Sequence, residues 1–403
     1  MIYIMQSIMI FAFLTKIPLT SIIVVSASVI SLILSSVSHD VISIKKVRIK
    51  LCILILFLFI LLIRILANLA LFDNLSQSDL DYIITISLAM VIYITFLVRP
   101  NPVALKYGIL SAVIFTIVLA LIEYILHVNT GSSRFEDPTN MFYLSDNRVP
   151  TAFYYNENDM LYFIILFIPF VCQTIKNNIL SKAIFISAFL LALIITSKAA
   201  IITMCIYFLW NIYNEPKGKS IFIAYISLAF LFLIILLLSW NYLSSTGLAE
   251  KVLYRFSGLI DFLSGTGGDN SSNERFEIYT SVFSFLANNI NMIFFGFGSF
   301  SYYESVFLRE YSLRIADFHN MHLELLTLFG SFVYVFILIF ILRRYIELKS
   351  IYINGRRVFN FMIVSFCSIM SIISSSIVKY PSFYVFLLLL VFARKYMDKK
   401  NEF

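Results

Sequence analysis

Residues 51–70 read Leu51-Cys-Ile-Leu-Ile-Leu-Phe-Leu-Phe-Ile-Leu-Leu-Ile-Arg64-Ile-Leu-Ala-Asn68-Leu-Ala70. As a helix rising about 1.5 Å per residue, a run of this length spans the roughly 30 Å hydrocarbon core of a bilayer. It carries one charge. Similar runs recur along the chain, at about 1–14, 18–38, 50–71, 82–98, 105–127, 157–175, 180–195, 198–213, 219–240, 322–342, 358–378 and 382–397. The composition agrees. Of 403 residues 60% are hydrophobic and only 13% charged, with a mean hydropathy of +0.91, whereas soluble domains carry about 25% charged residues. The sequence predicts an all-α integral membrane protein with about twelve transmembrane helices. The first residues lack the charged n-region and cleavage site of a signal peptide, so Met1 onward is read as a retained span.

The net charge of +7 does not mark a nucleic-acid partner, because the basic residues fall in short clusters between apolar runs. With the N-terminus inside, the loops and tail on that side hold Lys45, Lys46, Arg48, Lys50, Arg99, Lys106, Lys176, Lys182, Lys217, Lys219, Arg343, Arg344, Lys349, Arg356, Arg357, Arg394, Lys395, Lys399 and Lys400. An excess of Lys and Arg marks cytoplasmic loops. Both termini are therefore expected in the cytoplasm. Asp73, Asp79, Asp81, Glu136, Asp137, Asp146, Asp261 and Asp269 fall on the other side.

Three regions follow: a membrane bundle of about nine helices over 1–240, an extracytoplasmic loop subdomain over 241–321, and three C-terminal transmembrane helices with a cytoplasmic tail over 322–403. A second external segment covers 128–156. Within the large loop, 250–263 and 274–290 show apolar residues at helical spacing, the latter as Phe276, Tyr279, Val282, Phe283, Leu286 and Ile290. Such helices are expected to lie on the membrane surface or to cap the bundle. Cys52, Cys172, Cys205 and Cys367 all sit inside apolar runs, which indicates neither a disulfide framework nor a zinc cluster.

Chemistry is sought among the few polar residues left outside. Ser271 and Glu274 have the spacing of a capping box. It would place Arg275 in the first turn of a helix, where a guanidinium beside free backbone N–H groups favours a phosphate. The plainer reading is a surface arginine paired with Glu274 or Glu277. His319-Asn320 stands at the mouth of the tenth span, and a histidine there can exchange a proton, with Asn320 fixing its orientation. The plainer reading is an interfacial histidine satisfied by water; a His319/His322 metal pair lacks a third ligand. Lys198, in Thr196-Ser197-Lys198-Ala199-Ala200, either snorkels to the interface or joins Arg275 in a pocket for pyrophosphate. Phe295-Gly296-Phe297-Gly298-Ser299-Phe300 lacks the ending of a P-loop and is read as a tight turn. Arg64 and Glu123 are ionisable residues within spans. A mutual ion pair and a functional site both stand open for them.

The order of these pieces resembles the bacterial O-antigen ligase and O-antigen/capsular polysaccharide polymerase superfamily. The matching elements are Phe153-Tyr-Tyr-Asn156-Glu-Asn158-Asp159, then Ser197-Lys198-Ala199, Arg275 with Tyr279 four residues on, Gly296-Phe297-Gly298, and His319-Asn320 followed by Gly330. The resemblance covers roughly residues 150–335. Lys198 stands where the family prefers arginine, and Tyr279 where it prefers tryptophan. The resemblance implies a GT-C-like membrane glycosyltransferase that needs no metal or other cofactor and acts on the outer face of a bacterial plasma membrane. Its donor would be a glycan on undecaprenyl pyrophosphate, and its acceptor a sugar hydroxyl of another lipid-linked unit. In a ligase the acceptor would instead be a lipid or wall component. His319 would be the general base and Arg275 would stabilise the pyrophosphate, with Lys198, Arg255, Asn320 and Tyr279 binding substrate. A chain-length regulator and a flippase would be its partners. A lipid-linked-oligosaccharide flippase is the competing class and would place charges within the spans; a purely structural membrane component needs neither Arg275 nor His319.

Overall fold

The computed structural model describes residues 1–37, 45–72, 76–130, 149–195, 197–213, 270–310, 318–348, 357–372 and 376–396. The ninth predicted span, the amphipathic stretch 250–263, Arg255 and most of the 128–156 segment lie outside the described residues. No strand occurs among the described residues. Eight helices form the N-terminal part: α1 Ile2–Thr15, α2 Thr20–Val37, α3 Lys45–Phe72, α4 Gln77–Val98, α5 Pro102–Leu126, α6 Glu157–Thr174, α7 Asn178–Ile195 and α8 Lys198–Tyr213. Then come α9 Asn270–Asn288, α10 Ile290–Phe295, α11 Phe300–Glu310, α12 Met321–Leu348, α13 Val358–Cys367 and α14 Pro381–Phe392. Short 3-10 segments cover Ile369–Ile372 and Ala393–Tyr396.

Five of these helices contain stretches long and apolar enough to cross a bilayer: Val47–Asn68, Gln77–Val98, Pro102–Leu126, Asn178–Ile195 and Met321–Leu348. Their outward surfaces are apolar too. On α3, Ile53, Leu56, Ile60 and Ile63 are exposed at helical spacing, and on α12 Phe332, Val335, Ile339, Leu342 and Ile346 are exposed likewise. Apolar stripes of this extent are costly in water and neutral in lipid, so they mark a membrane-facing surface.

Inside the bundle, α6 and α14 are buried on nearly every face. α1 and α5 run parallel, with Tyr3 against Tyr107 and Phe11 against Phe115. Close approach is made by Gly108: a Cβ there would stand 2.6 Å from Ile10 Cβ and 2.9 Å from the Ser7 carbonyl. Ser7 Oγ crosses the same gap to Ala104 O at 3.1 Å. Small residues bring membrane helices together in this way.

Two predicted spans are not single helices. The tenth is interrupted at Gly330, which adopts φ 84° and ψ 170° inside α12. The interruption frees carbonyls of the preceding turn, and the segment after α10 takes two of them. Phe297 N donates to Thr327 O at 2.8 Å and Gly298 N to Leu328 O at 2.7 Å. The eleventh, read over 358–378, is α13 followed by the Ile369–Ile372 segment and, further on, a non-helical stretch over Ser376–Tyr380. Non-helical backbone at membrane depth survives only where protein satisfies it. Here Ile377 N and Val378 N donate to Glu324 at 2.7 and 3.3 Å.

Candidate functional site at one end of the bundle

α9 is the helix expected from residue 274 onward. It is already under way at Asn270, so Ser271 lies within the helix rather than before its first turn. Its protein-facing side is Ile278, Val282, Phe285 and Leu286, all buried, while Phe276 and Phe283 are 57% and 58% exposed. The apolar stripe read from sequence is thus split: Val282 and Leu286 pack inward, and Phe276 and Phe283 face out.

This orientation carries Arg275 and Tyr279 to two different anchors. Arg275 Nη1 donates to the carbonyl of Ile372, at the end of the 3-10 segment, at 3.4 Å. One turn on, the Tyr279 hydroxyl donates to the carbonyl of His319 at 3.0 Å. Burial pushes the phenol pKa up, and the Arg275 charge and the neighbouring Asn320 side chain oppose this only in part. Tyr279 therefore stays a donor at neutral pH.

The His319-Asn320 pair is held from both sides. Phe318 is fully buried, with its ring stacked on Tyr303 at 4.3 Å. Asn320 Oδ1 accepts from His322 N at 2.9 Å and Leu323 N at 3.3 Å, which makes it the cap of α12. Between them His319 is half-buried and adopts φ 47°, in the left-handed region. His322 has a different role. Its Nε2 lies 2.9 Å from Cys367 O, so that nitrogen carries the proton, and Nδ1 accepts from the Tyr334 hydroxyl at 3.3 Å. Both ring nitrogens are engaged by protein, which leaves no His319/His322 metal pair.

Of the six residues singled out in the sequence, four come together here: Arg275, Tyr279, His319 and Asn320. Lys198 is the half-buried first residue of α8, and α8 packs against the 3-10 segment that receives Arg275. Arg255 lies outside the described residues. Arg64 and Glu123 do not pair with each other. Arg64 Nη2 donates to Gly296 O at 3.0 Å. Glu123 accepts from Thr130 N, Thr130 Oγ1, Thr151 N and Ala152 N at 2.6–2.9 Å, so it ties together the two ends of the external segment.

Sequence reading passed over a group of buried polar residues just beneath this site. Glu324, fully buried one turn below Asn320, accepts from Tyr82, Ser376, Ile377 N and Val378 N. Lys379 Nζ pairs with Asp81 at 3.2 Å. The Tyr380 hydroxyl donates to Asp159, and Lys16 Nζ sits 4.8 Å from the Tyr380 ring centroid. Five consecutive residues, 376–380, thereby hold α12, α4, α6 and the end of α1. The signal available in sequence was Ser376 and Lys379-Tyr380, polar residues closing an apolar run.

A cavity of about 830 Å³ lies between α1 and α5, lined by Tyr3, Ser7, Phe11, Tyr107, Ser111 and Phe115 among others. It is predominantly apolar and shares no residue with the histidine site. Among the described residues no group of three His, Cys, Asp or Glu is placed to hold a metal. No protein-family model matches this sequence, and no match is found among curated proteins.

Proposed function

We propose that the chain is a membrane glycosyltransferase that polymerises polysaccharide repeat units carried on undecaprenyl pyrophosphate. In this reading a sugar hydroxyl of one lipid-linked unit attacks the anomeric carbon of another. The bond from that carbon to the pyrophosphate oxygen breaks, His319 takes the hydroxyl proton, and Arg275 with Lys198 and Arg255 meets the charge left on the pyrophosphate. Pyrophosphate is a good leaving group, so preorganised cations do the work a metal would otherwise do.

The observation that carries this reading is the Tyr279 bridge, which joins the arginine-bearing helix to the histidine loop at one end of an apolar bundle. The buried charges count against a flippase. Among the described residues, Asp79, Glu123, Glu324 and Arg344 are each met by backbone or neighbouring donors or acceptors, so they serve as clamps. About twelve spans, a GT-C-like arrangement, cytoplasmic termini and a bacterial plasma-membrane location with the site outside complete the proposal. A flippase and a chain-length regulator would act beside it.

The test is purified protein in lipid nanodiscs with an undecaprenyl-pyrophosphate-linked repeat unit. A ladder of products is expected. A product formed only when a second acceptor is added would identify an O-antigen-type ligase, which shares the donor and differs in acceptor. His319→Ala should cut product formation by about 100-fold or more while the protein still inserts, and Arg275→Lys by about 10-fold or more through loss of bidentate contacts. Full-length polymer from His319→Ala would remove the general base from this reading.

A further inference from the structure

We propose that Tyr279 is a positioning residue that fixes the His319 backbone and so sets where the imidazole stands relative to Arg275; this rests on the reading of His319 as the general base. The resemblance would make residue 279 a substrate contact, but the geometry gives its polar end to the protein. The hydroxyl spends its proton on the His319 carbonyl at 3.0 Å. The ring is half-buried against the core.

The need for such a tether is visible in the loop. His319 holds φ 47° without being glycine, a strained conformation that persists only where surrounding contacts over-determine it. Buried Phe318 fixes the residue before and the Asn320 cap fixes the residue after. His319 itself has its carbonyl held by Tyr279. Without the phenol hydroxyl the peptide between 319 and 320 can rotate, and the imidazole swings with it. Since Tyr279 and Arg275 sit one turn apart on one rigid helix, the same contact sets the spacing between proton acceptor and pyrophosphate cation. Near-attack geometry is sensitive at this level, and a displacement of about 1 Å costs on the order of 100-fold in rate.

The experiment compares Tyr279→Phe, Tyr279→Trp, His319→Ala, Arg275→Ala and the double variant Tyr279→Phe/His319→Ala in nanodiscs. Turnover of the lipid-linked repeat unit is measured across pH, and binding is measured with undecaprenyl pyrophosphate alone. Tyr279→Phe should lower turnover about 10- to 100-fold and shift the acid limb of its pH profile. Its Kd for undecaprenyl pyrophosphate should stay within about twofold of wild type, while Arg275→Ala weakens that binding. Tyr279→Trp keeps an N–H donor and should recover most of the turnover. The double variant should be no slower than His319→Ala, because a residue acting through His319 has nothing left to position.

Wild-type turnover by Tyr279→Phe beside an inactive His319→Ala would overturn the positioning role and leave the proposed function standing. An active His319→Ala would remove His319 as the general base and this inference with it, whereas wild-type protein that turns over no lipid-linked unit would overturn the function reading instead. Weakened pyrophosphate binding by Tyr279→Phe, equal to that of Arg275→Ala, would make residue 279 a substrate contact and overturn the inference. Should Tyr279→Phe fail to fold, Tyr279→Trp carries the test: retained turnover supports the donor role and lost turnover overturns it.

Discussion

An ionised carboxylate inside an apolar bundle is stable only where donors meet its oxygens. Glu123 and Glu324 solve this with backbone N–H groups and hydroxyls, and Asp79 does so at the start of α11, taking Phe300 N at 2.7 Å and Ser301 N at 3.1 Å. Lys16 is solved less completely. It closes α1 in the left-handed conformation, in the turn before α2, and burial pushes its pKa below the ordinary lysine value of 10.5 despite Asp81 and Asp159. The unfolded chain then binds the proton more tightly than the folded one. The stabilising contribution of this group is full above pH 10.5 and is lost as pH falls through the lower folded value. Lys16→Met should therefore unfold in detergent at a midpoint no lower than wild type at pH 7, and should lose the rise in stability as pH climbs toward 10.5. A marked loss of midpoint at pH 7 would show that the Tyr380 contact and the two carboxylates outweigh desolvation. The charges at Arg64 and Glu123 were legible in sequence because each interrupts an apolar run. Their partners were not, because backbone groups at Gly296, Thr130, Thr151 and Ala152 leave no mark in residue type.

At the scale of elements, hydropathy shows that a stretch is apolar but does not show whether its backbone is continuous. The His-Asn pair, the following apolar run and the Gly-x-Gly turn were all evident as separate features. Their interlock was not. Gly330 breaks α12, Phe297 and Gly298 fill the freed carbonyls, and Asn68 and Arg64 on α3 bind the other side of the same segment. Both partners must lack a Cβ. One on Gly296 would stand 2.5 Å from Leu328 O, and one on Gly330 would fall against the Phe294 carbonyl, at φ angles of 67° and 84° that side chains resist. Gly298 is also at positive φ, but its Cβ would meet the Asn68 side chain at 2.6 Å. Side chains can give way and a packed carbonyl cannot. Gly330→Ala and Gly296→Ala should thus cost about 3 kcal/mol or more and deliver little monodisperse protein, with Gly298→Ala milder in yield and thermal midpoint. Equal behaviour of all three would mean that the interlock is not what holds α12 in its broken form.

For the whole molecule, helix direction and charge point the same way. One end gathers the Lys16, Asp159, Tyr380, Asp81 and Lys379 group beneath His319. The other gathers Lys50 and Glu347, paired at 2.6 Å, with Arg344 and Arg394 close to the same carboxylate, and Tyr396 bonded to Pro102 O at 2.6 Å. Helices α1 and α5 run the same way, as an alternating path through a membrane requires of odd-numbered spans. The side on which the first end lies decides the chemistry. If the proposed function holds, a histidine and an arginine on the outside would meet glycans that have already crossed on a lipid; on the inside they would meet soluble nucleotide sugars, and a lipid-pyrophosphate donor would lose its rationale. Exposed His127, at the close of α5, and exposed Asn177, just before α7, report the two ends. With Cys52, Cys172, Cys205 and Cys367 replaced, His127→Cys should react with a membrane-impermeant maleimide in intact cells, and Asn177→Cys only after permeabilisation. The reverse pattern would turn Arg275 and His319 toward the cytoplasm and sink the polymerase reading, whatever the activity of the purified protein.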